Sequence, residues 1–271
     1  MGLLQITTIY LYVNMDVLVL SLKSLYTKRD NQIPVFYTKL NRKFMEENMT
    51  IKEAIKERHM VRQYTNTAIP ADVVELINER IVQNNKKYNL HLTLVINNSD
   101  GISGMAKLLL SKTVNNYIVL AGMDTHELDE KLGYCGADLI LYAQTMGLNT
   151  WWIGGMFNRK GALKNLSNKD VRINGVIAIG YGGTQGVPHK SKTAAEISEY
   201  NGNAPQWFVD GVNALLYAPT ALNKQPFVVK GNGNKVSISA GDGHFSGIDL
   251  GIGKYHFEVG AGKENFEWEV Q

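Results

Sequence analysis

The sequence predicts an α+β fold, in which helices and strands mix without the strict alternation of a doubly wound sheet. Three observations lead there. Apolar residues recur at helical spacing in several segments that also carry capping or stopping signals. Short runs rich in β-branched and aliphatic residues lie between those segments. The 271-residue chain is also 44% hydrophobic and 20% charged, which supplies apolar material for a sizeable core.

The elements follow in order from residue 45. Thr50, with Glu53 three residues on, makes a capping box that opens a helix through Ile51, Ala54 and Ile55 to about Glu57. The run Arg58-His59-Met60-Val61-Arg62-Gln63-Tyr64 comes next. Pro70 then opens a second helix, whose apolar residues are Val73, Val74, Leu76, Ile77, Ile81 and Val82, and which Asn84-Asn85 ends. Residues 91–96 read as a strand, 104–110 as a helix and 117–121 as a strand. A long helix over 127–146 is closed by Gly147. The strand 149–153 runs into Gly154-Gly155. A short helix over 159–166 precedes 171–181, which holds the strand 176–181, and a basic stretch over 188–192 follows. From Pro205 the pattern restarts with a helix over 207–216, strands over 227–230 and 235–238, a helix over 248–259 and a strand over 266–270. Gly231-Asn232-Gly233-Asn234 reads as a hairpin turn. It lacks the lysine and following helix of a nucleotide-binding loop.

The other end of the chain is different. Residues 3–20 are strongly apolar, but no basic residue precedes Lys23, and Asn14 and Asp16 interrupt the run. Neither a signal peptide nor a membrane helix is expected. Residues 1–44 read as an extension outside the fold, with Met45 or Met49 as the effective start. The folded domain is then 45–271. The net charge of +3 is too small to argue for a nucleic-acid partner. A single cysteine, Cys135, excludes an intramolecular disulfide and fits a reducing, cytoplasmic setting. Its place in an apolar helical run makes it a structural thiol rather than a nucleophile. The six histidines show no metal-ligand spacing.

The chain also resembles itself weakly. Gly136-Ala137-Asp138-Leu139 in the first long helix matches Gly247-Ile248-Asp249-Leu250 in the last. Each match is followed by a strand with tryptophan, Trp151-Trp152 and Trp268. A repeat of roughly 110 residues is too long for a solenoid. It fits two related halves, 45–200 and 201–271, about a pseudo-two-fold axis. Chance similarity between apolar helices would give the same short match.

Four segments resemble the FMN-dependent nitroreductase family. Arg58-His59-Met60-Val61-Arg62, with Tyr64 and Ile69-Pro70, is similar to its opening arginine/serine/arginine motif. Gly147-Leu148-Asn149-Thr150-Trp151-Trp152-Ile153-Gly154-Gly155 is similar to the strand and glycine turn beside the flavin ring. Ile179-Gly180-Tyr181 with Pro188-His189-Lys190-Ser191-Lys192 resembles its late strand and basic phosphate ligands. Ala218-Pro219-Thr220-Ala221-Leu222-Asn223-Lys224-Gln225-Pro226-Phe227 resembles its alanine-proline-serine, asparagine, glutamine-proline signature and is the most specific of the four. Family members usually carry that signature early in the chain, where it serves the flavin of the other subunit. Here it comes after residue 217, as in a subgroup that joins both halves in one chain.

The resemblance implies one FMN per chain. A phosphate dianion needs fixed cations, and Arg58, Lys190 and Lys192 are of the right type. Taken alone, the two lysines would read as a solvated basic turn. In an extended segment they would point the same way. Met60 stands where the family usually has serine, so a hydroxyl contact is lost and a main-chain donor must serve. Arg62, beside His59 and Met60, is assigned to the flavin ring, where a cation favours the reduced form. A surface ion pair is its alternative reading. Ile153, Gly154 and Gly155 bring backbone amides to the ring edge. Pro219, Thr220 and Asn223 would reach the ribityl chain or ring from the other half. Trp152 and Phe227 read as core. No catalytic side chain is demanded. The implied reaction takes hydride from NADH or NADPH and gives it to a nitroaromatic, quinone or similar small acceptor. A flavin-binding storage or sensor protein without turnover is the alternative reading, and a flavin-free relative a third. No macromolecular partner is expected, and one chain is expected to suffice as a monomer.

Overall fold

The computed structural model describes residues 49–109 and 113–269, which lie in one compact unit, residues 48–271. The expected extension over 1–44 is outside the described residues. In chain order the helices are α1 (Ile51–Glu57), α2 (Ala71–Tyr88), α3 (Gly104–Leu109), α4 (Leu128–Thr145), α5 (Arg159–Lys164), α6 (Ala194–Ile197), α7 (Gln206–Leu215) and α8 (Ser246–Ala261). The strands are β1 (Thr93–Val95), β2 (Tyr117–Gly122), β3 (Asn149–Ile153), β4 (Arg172–Gly180), β5 (Ser198–Tyr200), β6 (Phe227–Asn232), β7 (Lys235–Ala240) and β8 (Glu267–Trp268). The fold is α+β, as the sequence predicts. Among the described residues no helix is long and apolar enough to cross a membrane.

The first sheet has the order β1-β2-β4-β3 and is antiparallel throughout. Side chains on a strand alternate between faces, and β2 and β4 bury both. Ile118, Leu120, Ile177 and Ile179 join the core shared with α2 and α4. Tyr117, Val119, Val176 and Ala178 join the core that also holds Ala106 of α3 and Ala162 of α5. The second sheet, β5-β6-β7-β8, is mixed: β6 and β7 form the antiparallel hairpin, and β5 and β8 add parallel edges. Phe227 and Val229 point inward from β6, and Val228 and Lys230 point outward.

The two long apolar helices α4 and α8 cross at the centre. A Cβ on Gly133 would overlap the Ile248 carbonyl, and a Cβ on Gly251 would overlap the Glu130 carbonyl. The contact is reciprocal and needs glycine on both sides. It pairs Gly133 with Gly251, whereas the sequence match paired Gly136 with Gly247. A buried polar network fastens the same region. Asp138 accepts from Arg80 Nε at 2.8 Å and Nη2 at 2.5 Å, from Asn84 Nδ2 at 2.8 Å and from the Tyr255 hydroxyl at 2.6 Å.

Several boundaries differ from the sequence expectation. α2 continues past Asn84-Asn85 to Tyr88. Both asparagines are engaged elsewhere, Asn84 with Asp138 and Asn85 with the N–H and C=O of Leu92, so neither competes for the local backbone. Those bonds to Leu92 also shorten the expected 91–96 strand to Thr93–Val95. β4 starts earlier, at Arg172, and β8 is only two residues long. The α6–β5 segment was not expected, although Thr193 and Glu196 have capping-box spacing and bond at 2.7 Å. Cys135 is buried, and burial pushes its thiol pKa up, as a structural thiol requires.

Replacing Gly251 with valine should force α4 and α8 apart. The expected loss is about 3 kcal/mol or more in urea unfolding, from overpacking against backbone. Val82→Ala, on the exposed face of α2, should stay within about 0.5 kcal/mol.

Candidate functional site

The site begins where α1 ends. The capping box holds the helix start: Glu53 N donates to Thr50 Oγ1 at 3.2 Å, and Thr50 N donates to Glu53 Oε2 at 2.7 Å. At the other end Arg58 leaves the helix with φ −74° and ψ 119°, while its N–H still bonds the Ala54 carbonyl. This turn sends the Arg58 side chain inward, and only 6% of the residue is exposed. Burial pushes the guanidinium pKa down to about 10. Among the described residues no carboxylate compensates it, and its Nε has no partner. A buried unpaired charge costs several kcal/mol. An anion is the group that would relieve it.

Residues 59–65 then run beside the first sheet. Met60 bridges Thr150, and Val61 N donates to the Thr150 carbonyl at 3.2 Å. The Tyr64 hydroxyl donates to the Ala178 carbonyl at 3.3 Å. Arg62 is on the outer side, its guanidinium carbon 5.7 Å from the centre of a Trp151 ring. β3 continues from Trp151 to Ile153 and the turn Gly154-Gly155. The first atom of α8's N-terminal neighbour to reach that turn is Phe245 Cε1, 2.9 Å from where a Gly154 Cβ would stand. Glycine at 154 lets the aromatic ring close on the backbone.

The basic stretch and the late signature are one unit. The Leu216 carbonyl accepts from His189 Nε2 at 3.1 Å, Ser191 Oγ at 2.9 Å and Gln225 Nε2 at 2.6 Å. Gln225 Oε1 accepts from Lys192 N at 2.7 Å, and the Gln225 carbonyl accepts from Lys192 Nζ at 2.9 Å. Asn223 Nδ2 donates to the Lys190 carbonyl at 2.8 Å, and Gln225 N donates to Thr220 Oγ1 at 2.9 Å. Asp249 of α8 accepts from Ala221 N at 3.0 Å. These bonds hold a strained loop: Leu222, Asn223 and Gln225 have φ of 54°, 55° and 45°. Each such non-glycine residue costs on the order of 1 kcal/mol, and strain of this kind collects at functional sites. His59 and Met60 pack against Gly186, just before the basic stretch, since a Cβ on Gly186 would meet the Met60 carbonyl and His59 Cβ at 2.7 and 2.8 Å.

A family profile described as "Putative TM nitroreductase" matches residues 50–261. The chain belongs to this nitroreductase family. No curated protein matches the chain. A "putative nitroreductase" structure from Thermotoga maritima MSB8 is 23% identical and covers 80% of this chain and 85% of its own, with a TM-score of 0.56. The chain shares that fold. A "putative nitroreductase" in complex with FMN from Desulfovibrio desulfuricans is 16% identical over 55% of this chain and 95% of its own, with a TM-score of 0.43.

The sequence-predicted residues converge unevenly. Arg58, His59 and Met60 adjoin the basic stretch, which is bonded to the loop after Pro219 that holds Thr220 and Asn223. Arg62, Ile153, Gly154 and Gly155 lie along and beyond β3. The two lysines do not lie on a paired strand. The stretch pairs with no strand, Lys190 is exposed, and the Gln225 carbonyl takes the Lys192 ammonium. Sequence reasoning missed His256, Asp249 and Phe245 as neighbours of the site. A histidine in an apolar helix reads as core, and no local signal tells the two roles apart.

Burial pushes the His256 pKa down to about 3 and the Asp249 pKa up to about 6. The two act with opposite sign. For His256 the unfolded chain takes up a proton first, so its contribution is full above about 6.5 and is lost as pH falls toward about 3. For Asp249 the folded chain keeps its proton longer, so its contribution is present below 3.8 and is lost as pH rises through about 6. In urea unfolding, Asp249→Asn should therefore expose the histidine slope, a loss of up to about 1.4 kcal/mol per unit as pH drops from 6 to 4. His256→Leu should instead leave stability falling as pH rises over the same window.

Proposed function

We propose that the chain is an FMN-dependent oxidoreductase that takes hydride from NADH or NADPH and reduces a nitroaromatic, a quinone or a similar small acceptor. The observation that carries the reading is Arg58. Its guanidinium is buried and has no compensating carboxylate among the described residues, while the adjoining His59 and Met60 lie against Gly186, so an anion such as a flavin phosphate fits its chemistry. When bound, FMN supplies a ring nitrogen that accepts hydride and passes it to the acceptor.

The chain's own residues would do the rest. Arg58 binds the phosphate, with Lys190 adding charge from the exposed side. The Gly154 and Gly155 amides face the ring edge, and Arg62 places positive charge where the reduced ring is negative. Asn223 and Thr220 orient the ribityl chain from the loop fixed by Gln225 and Asp249. The late loop and the Arg58 segment belong to one chain, so one chain builds one whole site and needs no partner subunit. The reciprocal α4–α8 crossing supports two related halves about a pseudo-two-fold axis.

The purified protein should be yellow, carry one FMN per monomer, bleach with NADH or NADPH and recolour with menadione or nitrofurazone. Arg58→Ala should weaken FMN binding about 10- to 100-fold, as loss of a charge-assisted bond predicts. A yellow protein that does not oxidise either nicotinamide would move the reading to storage or sensing. A colourless protein that fails to take up FMN would end it. Flavin bound only by dimers would overturn the single-chain site and leave the family unchanged.

A further inference from the structure

Phe245 is an aromatic residue that the core does not use. Among the described residues it belongs to neither hydrophobic cluster, and it is half-buried. A lone apolar side chain at the surface needs no explanation. Phe245 differs in what it touches and in how firmly it is placed. Its ring lies on the Gly154 backbone: a Cβ there would stand 2.9 Å from Cε1, 3.3 Å from Cζ and 3.6 Å from Cδ1. The His244 ring meets it edge-on, with centroids 4.7 Å apart.

The first turn of α8 fixes that position. The Phe245 carbonyl accepts from Asp249 N at 2.8 Å. Gly247 is pressed on the start of α4, where its Cβ would meet Asp129 Cβ at 2.7 Å. Asp249 in turn accepts from Ala221 N at 3.0 Å. One helical turn therefore reaches both the Gly154-Gly155 turn and the loop of Thr220 and Asn223. Beside the ring there is room, because a Cβ on Gly155 would stand in open space. Met156, the next residue, is exposed. Ser103, at the start of α3, donates its hydroxyl to the Met156 carbonyl at 2.7 Å, and α3 carries the exposed Met105. An aromatic ring and flexible methionines suit flat apolar molecules of varied outline.

We propose that Phe245 is a specificity-determining residue: its ring walls the space over Gly154-Gly155 and selects flat, ring-bearing electron acceptors over inorganic or acyclic ones. The proposal rests on the FMN reading, which puts the flavin ring edge at that turn. Contact with Phe245 adds affinity only for an acceptor with a ring face or edge of its own. A complex metal ion such as ferricyanide gains nothing from it.

The test uses the FMN-loaded full chain, reduced with stoichiometric dithionite so that no nicotinamide competes for the space. Flavin reoxidation is followed by anaerobic stopped flow, with menadione as the flat acceptor and ferricyanide as the control. Phe245→Ala should raise the menadione concentration for half-maximal rate about tenfold, the scale of one aromatic contact with the apolar area it covers. Phe245→Leu, which keeps apolar bulk without a ring, should show most of that loss, and Phe245→Tyr should stay within about twofold of the wild type. Ferricyanide rates and FMN affinity, the latter read by fluorescence, should be unchanged in all three. An unchanged menadione response in Phe245→Ala or Phe245→Leu would overturn the proposal and leave the FMN reading standing. Equal loss toward both acceptors, or weakened FMN binding, would overturn it too, since the ring would then serve the fold or the flavin. A wild type that takes up no FMN would end the FMN reading and this proposal together.

Discussion

The crossing of α4 and α8 is the constraint on which the rest depends. Two helices approach so closely at Gly133 and Gly251 that each would strike the other's backbone carbonyl if either carried a Cβ. Backbone contact of this kind gives many dispersion contacts per unit length and leaves little freedom in register. α1 packs against both helices, so the place where it ends is fixed by the crossing. That place is Arg58. The start of α8 is fixed in the same way, and with it Phe245 against Gly154 and Asp249 under the 220s loop.

A second consequence is electrostatic. Arg58 is driven into the interior by the geometry of its helix end rather than by a partner. Burial alone lowers its pKa, and among the described residues no carboxylate balances it. The interior therefore holds a cation that no described carboxylate neutralises. The loop from Thr220 to Gln225 shows the same investment in a different form. Three residues in left-handed backbone are kept there by side-chain bonds to the 189–192 stretch, to Leu216 and to Asp249. Free energy is given up in both places, and both lie together.

Much of this was legible without coordinates. Thr50 and Glu53 announce α1, because a capping box is a contact between residues three apart. The alternation in β6 and the turn at Gly233 announce the hairpin for a similar reason. The late alanine-proline-threonine and glutamine-proline segment marked the loop correctly, although its internal bonding was not visible. Errors arose where distant partners decide. Asn84 and Asn85 look like a helix stop, yet Asp138 and Leu92 absorb their side chains and the helix goes on.

The sequence by itself determined the fold class, most of the elements, the family and the segments from which a site would be made. All of these rest on local spacing or on contiguous motifs. Only the tertiary structure decided that Arg58 is buried with no counter-charge among the described residues, that Lys192 is bonded to Gln225 while Lys190 is exposed, and that His256 is fully buried. The physical reason is that burial and pairing are properties of groups brought together across two hundred residues of chain. A histidine in an apolar helix carries no mark of what will surround it.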